Sequence, residues 1–160
     1  MAVAVVKVVG GTRITEFPVD ERPEGITEGP GSTLFVGQIL SGRVLSIDAI
    51  TGDTKEVVGE QAGRQAWGLW YYKDKLFVAG GGPSFGGGTP KVYVYDVHTG
   101  ESLVSCDPVS TNPFGAFLND VTVRDGVAYI TDSVNGKLMA MDADDALAGN
   151  CNVWEVDLPD

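Results

Sequence analysis

Apolar residues in this chain come in short alternating runs rather than long helical stripes. "RVLSID" (43–48), "KVYVYD" (91–96) and "KLMAMD" (137–142) each alternate and each end in aspartate. Alternation at period two is the pattern of a half-buried β-strand. Shorter β-rich runs precede them, "LFVG", "LFVAG" and "AYITD", and turn signals such as "EGPGS", "KD" and "RDG" lie before those. No helix of useful length is signalled; "DADDALAG" is expected to form one turn.

These runs recur in a fixed order. Segments 23–58, 66–105 and 118–146 each give a short apolar strand, a turn, a β-rich run and an alternating strand closed by aspartate. The first two segments then share D-x-x-T-G, at Asp48 to Gly52 and Asp96 to Gly100, and run on into a fourth strand. The closing aspartates Asp48, Asp96 and Asp142 are 48 and 46 residues apart. Four short strands at that period describe one blade of a β-propeller. A plain β-sandwich gives no account of the shared order.

The predicted fold is therefore all-β, a propeller of about three four-stranded antiparallel blades, at 23–62, 63–113 and 114–160. An N-terminal strand segment, 1–22, precedes them, with "TRITEFPV" as its strand, and "NVWEVDL" is expected to complete the third blade. Propellers close with four to eight blades, so three read as half of a six-bladed ring. Open flanks of blades one and three would expose apolar sheet faces that need cover. The chain is then a fragment, a closed half-structure or one partner of an oligomer.

Composition narrows the partners. Hydrophobic residues make up 43% of the 160, which fits a globular protein, and the 22 glycines fit many tight turns. The net charge of −11 would repel phosphate backbones, so nucleic acid is excluded as an expected partner. No run approaches the ~20 apolar residues of a membrane span. "MAVAVVKVVGG" reads as a strand rather than a signal peptide, because it lacks a basic leading region. A soluble protein is expected, and the compartment is left open. Cys106 and Cys151 have no zinc-type spacing; buried thiols in outer strands are the default reading, and a bridge stays open.

"FPVDERPEGI", "AWGLWYYKDKLFVAGGG", "KVYVYDVHTGE" and "FLNDVTVRDGVAYITDS" together resemble the opening half of the senescence-marker-protein/gluconolactonase-like (regucalcin-like) six-bladed propellers. The resemblance spans about residues 17 to 145. It implies one divalent metal, calcium by preference, at the top of the central channel, and a metal-dependent lactonase-like hydrolase acting on a lactone or sugar-acid-like molecule. By motif, Glu24 of "PEG" and Asn119 of "FLND" match metal ligands, and Trp67 in the same register would line or cap the channel. Asp120 and Asp132 join the rim; Asp132 is also placed as a turn cap. The family's further Asn and Asp ligands would come from blades four and five, which this chain does not contain. Glu24 and Asn119 supply at most three oxygens of the six to eight that calcium takes, so weak binding and little turnover are expected of one chain alone. Two copies about a two-fold axis along the channel, or the rest of a longer chain, would complete the ring.

Three other features carry less. His98, the only histidine, falls in a turn at the far end from the site, against any two-histidine or histidine-assisted chemistry there. Trp70, Tyr71 and Tyr72 are expected to pack between blades. "GPSFG" (82–86) imitates a nucleophile elbow, but Ser84 is followed by glycine and a β-run where that motif needs a helix. The stretch reads better as a six-residue insertion in the second hairpin of blade two, a flap on the channel rim. The alternative to a partial hydrolase is a non-catalytic propeller module that binds a ligand or protein through its top loops; a third reading is an excised piece with no activity of its own.

Overall fold

The computed structural model describes residues 15–18, 21–82, 88–110, 112 and 115–157. Within them the chain folds into three four-stranded antiparallel sheets in succession. Blade one holds β1 (Pro23–Glu28), β2 (Thr33–Gln38), β3 (Val44–Asp48) and β4 (Thr54–Val58). Blade two holds β5 (Leu69–Tyr72), β6 (Lys75–Ala79), β7 (Val92–Asp96) and β8 (Ser102–Cys106). Blade three holds β9 (Leu118–Arg124), β10 (Val127–Asp132), β11 (Lys137–Asp142) and β12 (Val153–Glu155). Each sheet is a meander in chain order, and β1, β5 and β9 lie side by side as the innermost strands. Of the segment 1–22, the described residues 15–18, 21 and 22 lie in no strand.

Strand pairing makes the repeat exact to the residue. Thr33, Lys75 and Val127 sit opposite the closing aspartates Asp48, Asp96 and Asp142. Phe35, Phe77 and Tyr129 are therefore equivalent, opposite Ser46, Val94 and Ala140. The D-x-x-T-G turns match as well. Asp48 accepts from the backbone N–H of Ile50 and Thr51, and Asp96 from those of His98 and Thr99. Gly52 and Gly100 follow at φ +80° and +73°, a region that favours glycine. Asp142 does the same work differently. It caps the single helical turn α1 (Ala143–Leu147) by accepting from the Asp145 N–H at 2.8 Å.

The core lies between the blades. Phe35, Val44 and Val58 of blade one pack on Leu69, Leu76, Val78, Tyr93 and Tyr95 of blade two. The other face of blade two, with Phe77, Val92, Val94 and Val104, packs on Val121, Ala128, Ile130, Met139 and Met141 of blade three. Each sheet thus uses alternate residues against alternate neighbours, as the pleat dictates. Tyr71 stacks on Phe35 at 5.7 Å between ring centroids, and Tyr72 packs against the second cluster. Trp70 departs from the packing expected of it: it is 37% exposed, on a groove beside Ile26 and Leu34.

The cysteines are also corrected. Cys106, at the end of β8, and Cys151, just before β12, form a disulfide with Cα atoms 5.6 Å apart. The outer strands of adjacent blades bring them within bridging reach, so buried free thiols are not what the fold contains.

Candidate functional site

Glu24, Trp67 and Asn119 occupy equivalent positions at one end of the innermost strands. In blade one the β1–β2 register slips between Pro23 and Ile26; in blade three the β9–β10 register slips between Ile130 and Asp132. Glu24 and Asn119 sit in those two irregularities, the kind of bulge that re-aims a side chain at a sheet edge. The blades meet there through the backbone. The Gly25 N–H donates to the Trp67 carbonyl at 2.7 Å. Gly68 is packed so tightly that an added Cβ would stand 2.3 Å from the Asp120 Cα and 2.8 Å from the Asn119 carbonyl. The chain therefore joins Glu24–Gly25, Trp67–Gly68 and Asn119–Asp120 into one continuous rim.

The side chains differ in freedom. Glu24 is exposed and lines a groove with Phe17, Ile26, Leu34 and Val36. Asn119 is half-buried, and its Nδ2 donates to Ser133 Oγ at 3.2 Å, which orients the amide. Asp120 is exposed, with Oδ1 accepting from the Val121 N–H at 2.9 Å. Trp67 is half-buried, sets its ring edge-on to Phe117 at 4.8 Å and donates Nε1–H to Gln65 Oε1 at 3.1 Å. It forms part of the wall. Asp132 is 1% exposed, and its Oδ1 accepts from the N–H groups of Phe117, Val134 and Asn135. With that many backbone donors on it, Asp132 is a turn cap that ties the segment entering β9 to the β10–β11 hairpin. His98 is exposed in its turn, 4.0 Å from Asp74.

Two glutamines complete this end of the molecule, and neither stood out in the sequence. Gln65 is 3% exposed and accepts from the Trp67 indole and, at 3.4 Å, from the Gly82 N–H. An added Cβ at Gly88 would lie 2.3 Å from its Oε1, so Gln65 is clasped between the two stems of the blade-two insertion. Gly81 pairs with Leu118 at the start of β9. The described flanks of the insertion, Gly81–Gly82 and Gly88, therefore lie at the end that carries Glu24 and Asn119; the expected flap itself, residues 83–87 with Ser84, lies outside the described residues. Gln38, paired across from Pro23, is fully buried, and neither atom of its amide is hydrogen-bonded to a described residue.

Among the described residues no group of three or more His, Cys, Asp or Glu is close enough to hold a metal ion. The described oxygen-bearing side chains at this rim are the carboxylates of Glu24 and Asp120 and the amide of Asn119, too few for a full calcium shell. No helix among the described residues is long and apolar enough to cross a membrane.

The architecture has known counterparts. A chain of a nidogen/laminin complex matches 92% of this chain with a TM-score of 0.64 at 14% identity. Glutaminyl cyclase of Myxococcus xanthus matches 84% with a TM-score of 0.56 at 14% identity, and the computationally designed protein Ika4 matches 79% with a TM-score of 0.55 at 12% identity. The fold is a partial β-propeller. At these identities the likeness extends to the fold alone. This chain spans 51% of the nidogen/laminin-complex chain, 53% of the cyclase and 69% of Ika4. No protein-family model and no curated protein matches the sequence.

Proposed function

We propose that this chain supplies half of the hub site of a lactonase-like, metal-dependent propeller, with Glu24 and Asn119 as its contribution to a divalent-cation shell. The observation that carries this reading is the equivalence of Glu24, Trp67 and Asn119, with the two oxygen donors standing in bulges at one end of the innermost strands. The donor set fits a hard cation in kind, one carboxylate and one amide oxygen. It falls short in number, so the fit holds only in a completed ring. A bound cation there would polarise a lactone carbonyl. In this chain's own residues, Glu24 brings the negative charge, Asn119 brings an oriented amide, and Trp67 closes the wall beside them.

Calcium titration followed by thermal unfolding tests it. Specific binding raises the melting temperature as the ligand saturates, and Glu24→Gln abolishes the rise. A sample in which the ring is completed, and whose melting temperature ignores calcium, manganese and zinc, overturns the cation site. The second reading, a non-catalytic module that binds a ligand at the same rim, is favoured by the buried Gln65 held between Gly82 and Gly88 and would then stand.

A further inference from the structure

Glu24, Ile26 and Glu28 alternate along β1, and all three are exposed. Residues two apart share a face of a strand, and the bulge at Glu24 keeps it in this row, since Glu24 and Ile26 line one groove. Two carboxylates thus flank an isoleucine that is 61% exposed. Two adjoining grooves follow the row. One, of about 460 Å³, is walled by Glu24, Thr15 and Phe17, with Val36 and Ile47 buried beneath. The other, of about 650 Å³, is walled by Glu28 and Trp70. Ile26 and Leu34 line both, as a common apolar floor. The two ends differ in chemistry. At the Glu24 end, Thr15 Oγ1 is buried with no hydrogen bond to a described residue. Gln38, paired with Pro23 and on the Leu34–Val36 side of β2, keeps a fully buried amide equally without a described partner. With the carboxylate, this end holds three acceptors, as many as the N–H donors of a primary ammonium group. Buried polar groups left unpaired are costly, and here two of them stand beside one carboxylate. At the other end, the Tyr71 N–H donates to Thr27 Oγ1 at 3.4 Å, and Trp70 lies beside Glu28. An indole face next to a carboxylate suits a cation.

We propose that this double groove binds a linear aliphatic diamine, with one ammonium group at Glu24, the other at Glu28 and the carbon chain on Ile26 and Leu34. Four residues of strand place the two Cα atoms about 13 Å apart at most. A hydrogen bond of about 3 Å at each end then leaves about 7 Å between the nitrogens. Diaminohexane reaches across that distance, and diaminoethane does not. A lone ammonium group on an exposed carboxylate gains little. Two joined by a chain gain more, because the second contact forms within one bound molecule. The methylenes also leave water for the apolar floor. The net charge of −11 favours a dication over a neutral or anionic ligand. The inference does not rest on the metal reading of the hub, since Glu28 and Trp70 stand outside that site.

Calorimetric titration of the full chain with diaminohexane at low salt reads it directly. One molecule is expected per chain, and hexylamine, with a single ammonium group, binds roughly tenfold more weakly. Diaminoethane, too short to meet both ends, binds more weakly still. Glu28→Gln and Trp70→Ala, both at exposed positions that leave the fold intact, each lower the diaminohexane affinity roughly tenfold. Both leave any rise of the melting temperature with calcium unchanged, so loss of the diamine site and loss of the metal site are told apart. Gln38→Met lowers the affinity for both amines, because it acts at the end that takes the primary ammonium group. No heat at millimolar diaminohexane overturns the proposal. So does an affinity no greater than that of hexylamine. An affinity that ignores Glu28→Gln and Trp70→Ala, as expected of counterions spread over an acidic surface, overturns it as well.

Discussion

The Arg64 guanidinium lies over the Tyr95 ring, 5.4 Å from its centroid, and donates to the Tyr95 hydroxyl at 3.2 Å. Arg64 is 6% exposed, in the loop between blades one and two. Its remaining partners are neutral: the carbonyls of Gly42 and Gly59 and the Gln61 side chain. A buried cation is thus solvated by dipoles and a ring face. Burial holds the Tyr95 hydroxyl up at about 12. Since the folded value lies above the unfolded ~10, this term is fully present below pH 10 and is lost as pH rises toward 12. A base titration of stability should fall across that window, and Tyr95→Phe should remove most of this slope. Arg64→Lys, which lacks the planar fork, should cost about 2–3 kcal/mol in urea unfolding.

Gly25→Ala tests the hub. The new Cβ would stand 1.9 Å from the Trp67 carbonyl oxygen that Gly25 now hydrogen-bonds. Backbone on both sides leaves no flexible side chain to yield, so the β1–β5 contact must open. A loss on the order of 3 kcal/mol is expected. Gly126→Ala is a useful contrast. There nothing lies within 4 Å, and the cost comes only from φ +80°. Equal losses at both sites would mean that strain, not blade contact, sets the hub.

Removing the bridge between Cys106 and Cys151 should lower stability by roughly 2–4 kcal/mol, because the 45-residue separation closes a large loop in the unfolded chain. The double Cys→Ala variant, compared in urea with the oxidised chain, checks this. The three-residue β12 is short, so blade three's outer edge should exchange its amides first. Unchanged stability would mean that the bridge adds no constraint beyond the packing of blade two on blade three.

Asp96 is held down to about 2 first by Lys75, 3.0 Å away, then by the N–H groups of Thr99 and His98. The folded value lies below the unfolded ~3.9, so its contribution is present above about pH 4 and is lost as pH falls toward 2. Asp48 is lowered in the same turn by the N–H groups of Thr51 and Ile50 and by Ser32. Asp96→Asn should flatten the acid limb of the stability curve and lower the melting temperature at neutral pH. An acid limb unchanged by the substitution would place acid sensitivity elsewhere.

How much of this was legible in the sequence follows from which interactions are local. The blades were, because Asp48, Asp96 and Asp142 mark each third strand through contacts within a few residues of themselves. The register of Glu24, Trp67 and Asn119 was also readable, because the repeat fixes it. The disulfide was not: Cys106 and Cys151 meet only once two blades have docked. Gln65 and Gln38 gave no signal, since a lone glutamine carries no period and its burial depends on what the hairpins do above it. Trp70 misled because an aromatic on an innermost strand packs or not according to the face that the pleat gives it.

Gln38 gives the last prediction. It is fully buried, at the position that Asp132 fills in blade three. Asp132 uses its carboxylate to gather three backbone N–H groups. The Gln38 amide has no hydrogen bond to a described residue, while its backbone carbonyl accepts from Gly42 and Ala66. A buried amide without partners costs about 1–3 kcal/mol. Gln38→Met keeps the shape, leaves the backbone bonds in place and removes both polar atoms. It should therefore raise stability by about 1 kcal/mol, read as a higher urea midpoint at unchanged slope. Asp132→Ala, at the equivalent position two blades along, should instead lose about 2–3 kcal/mol by stranding the N–H groups it holds. If Gln38→Met destabilises the chain as Asp132→Ala does, the amide is engaged in solution and Gln38 belongs with Glu24 in the hub site.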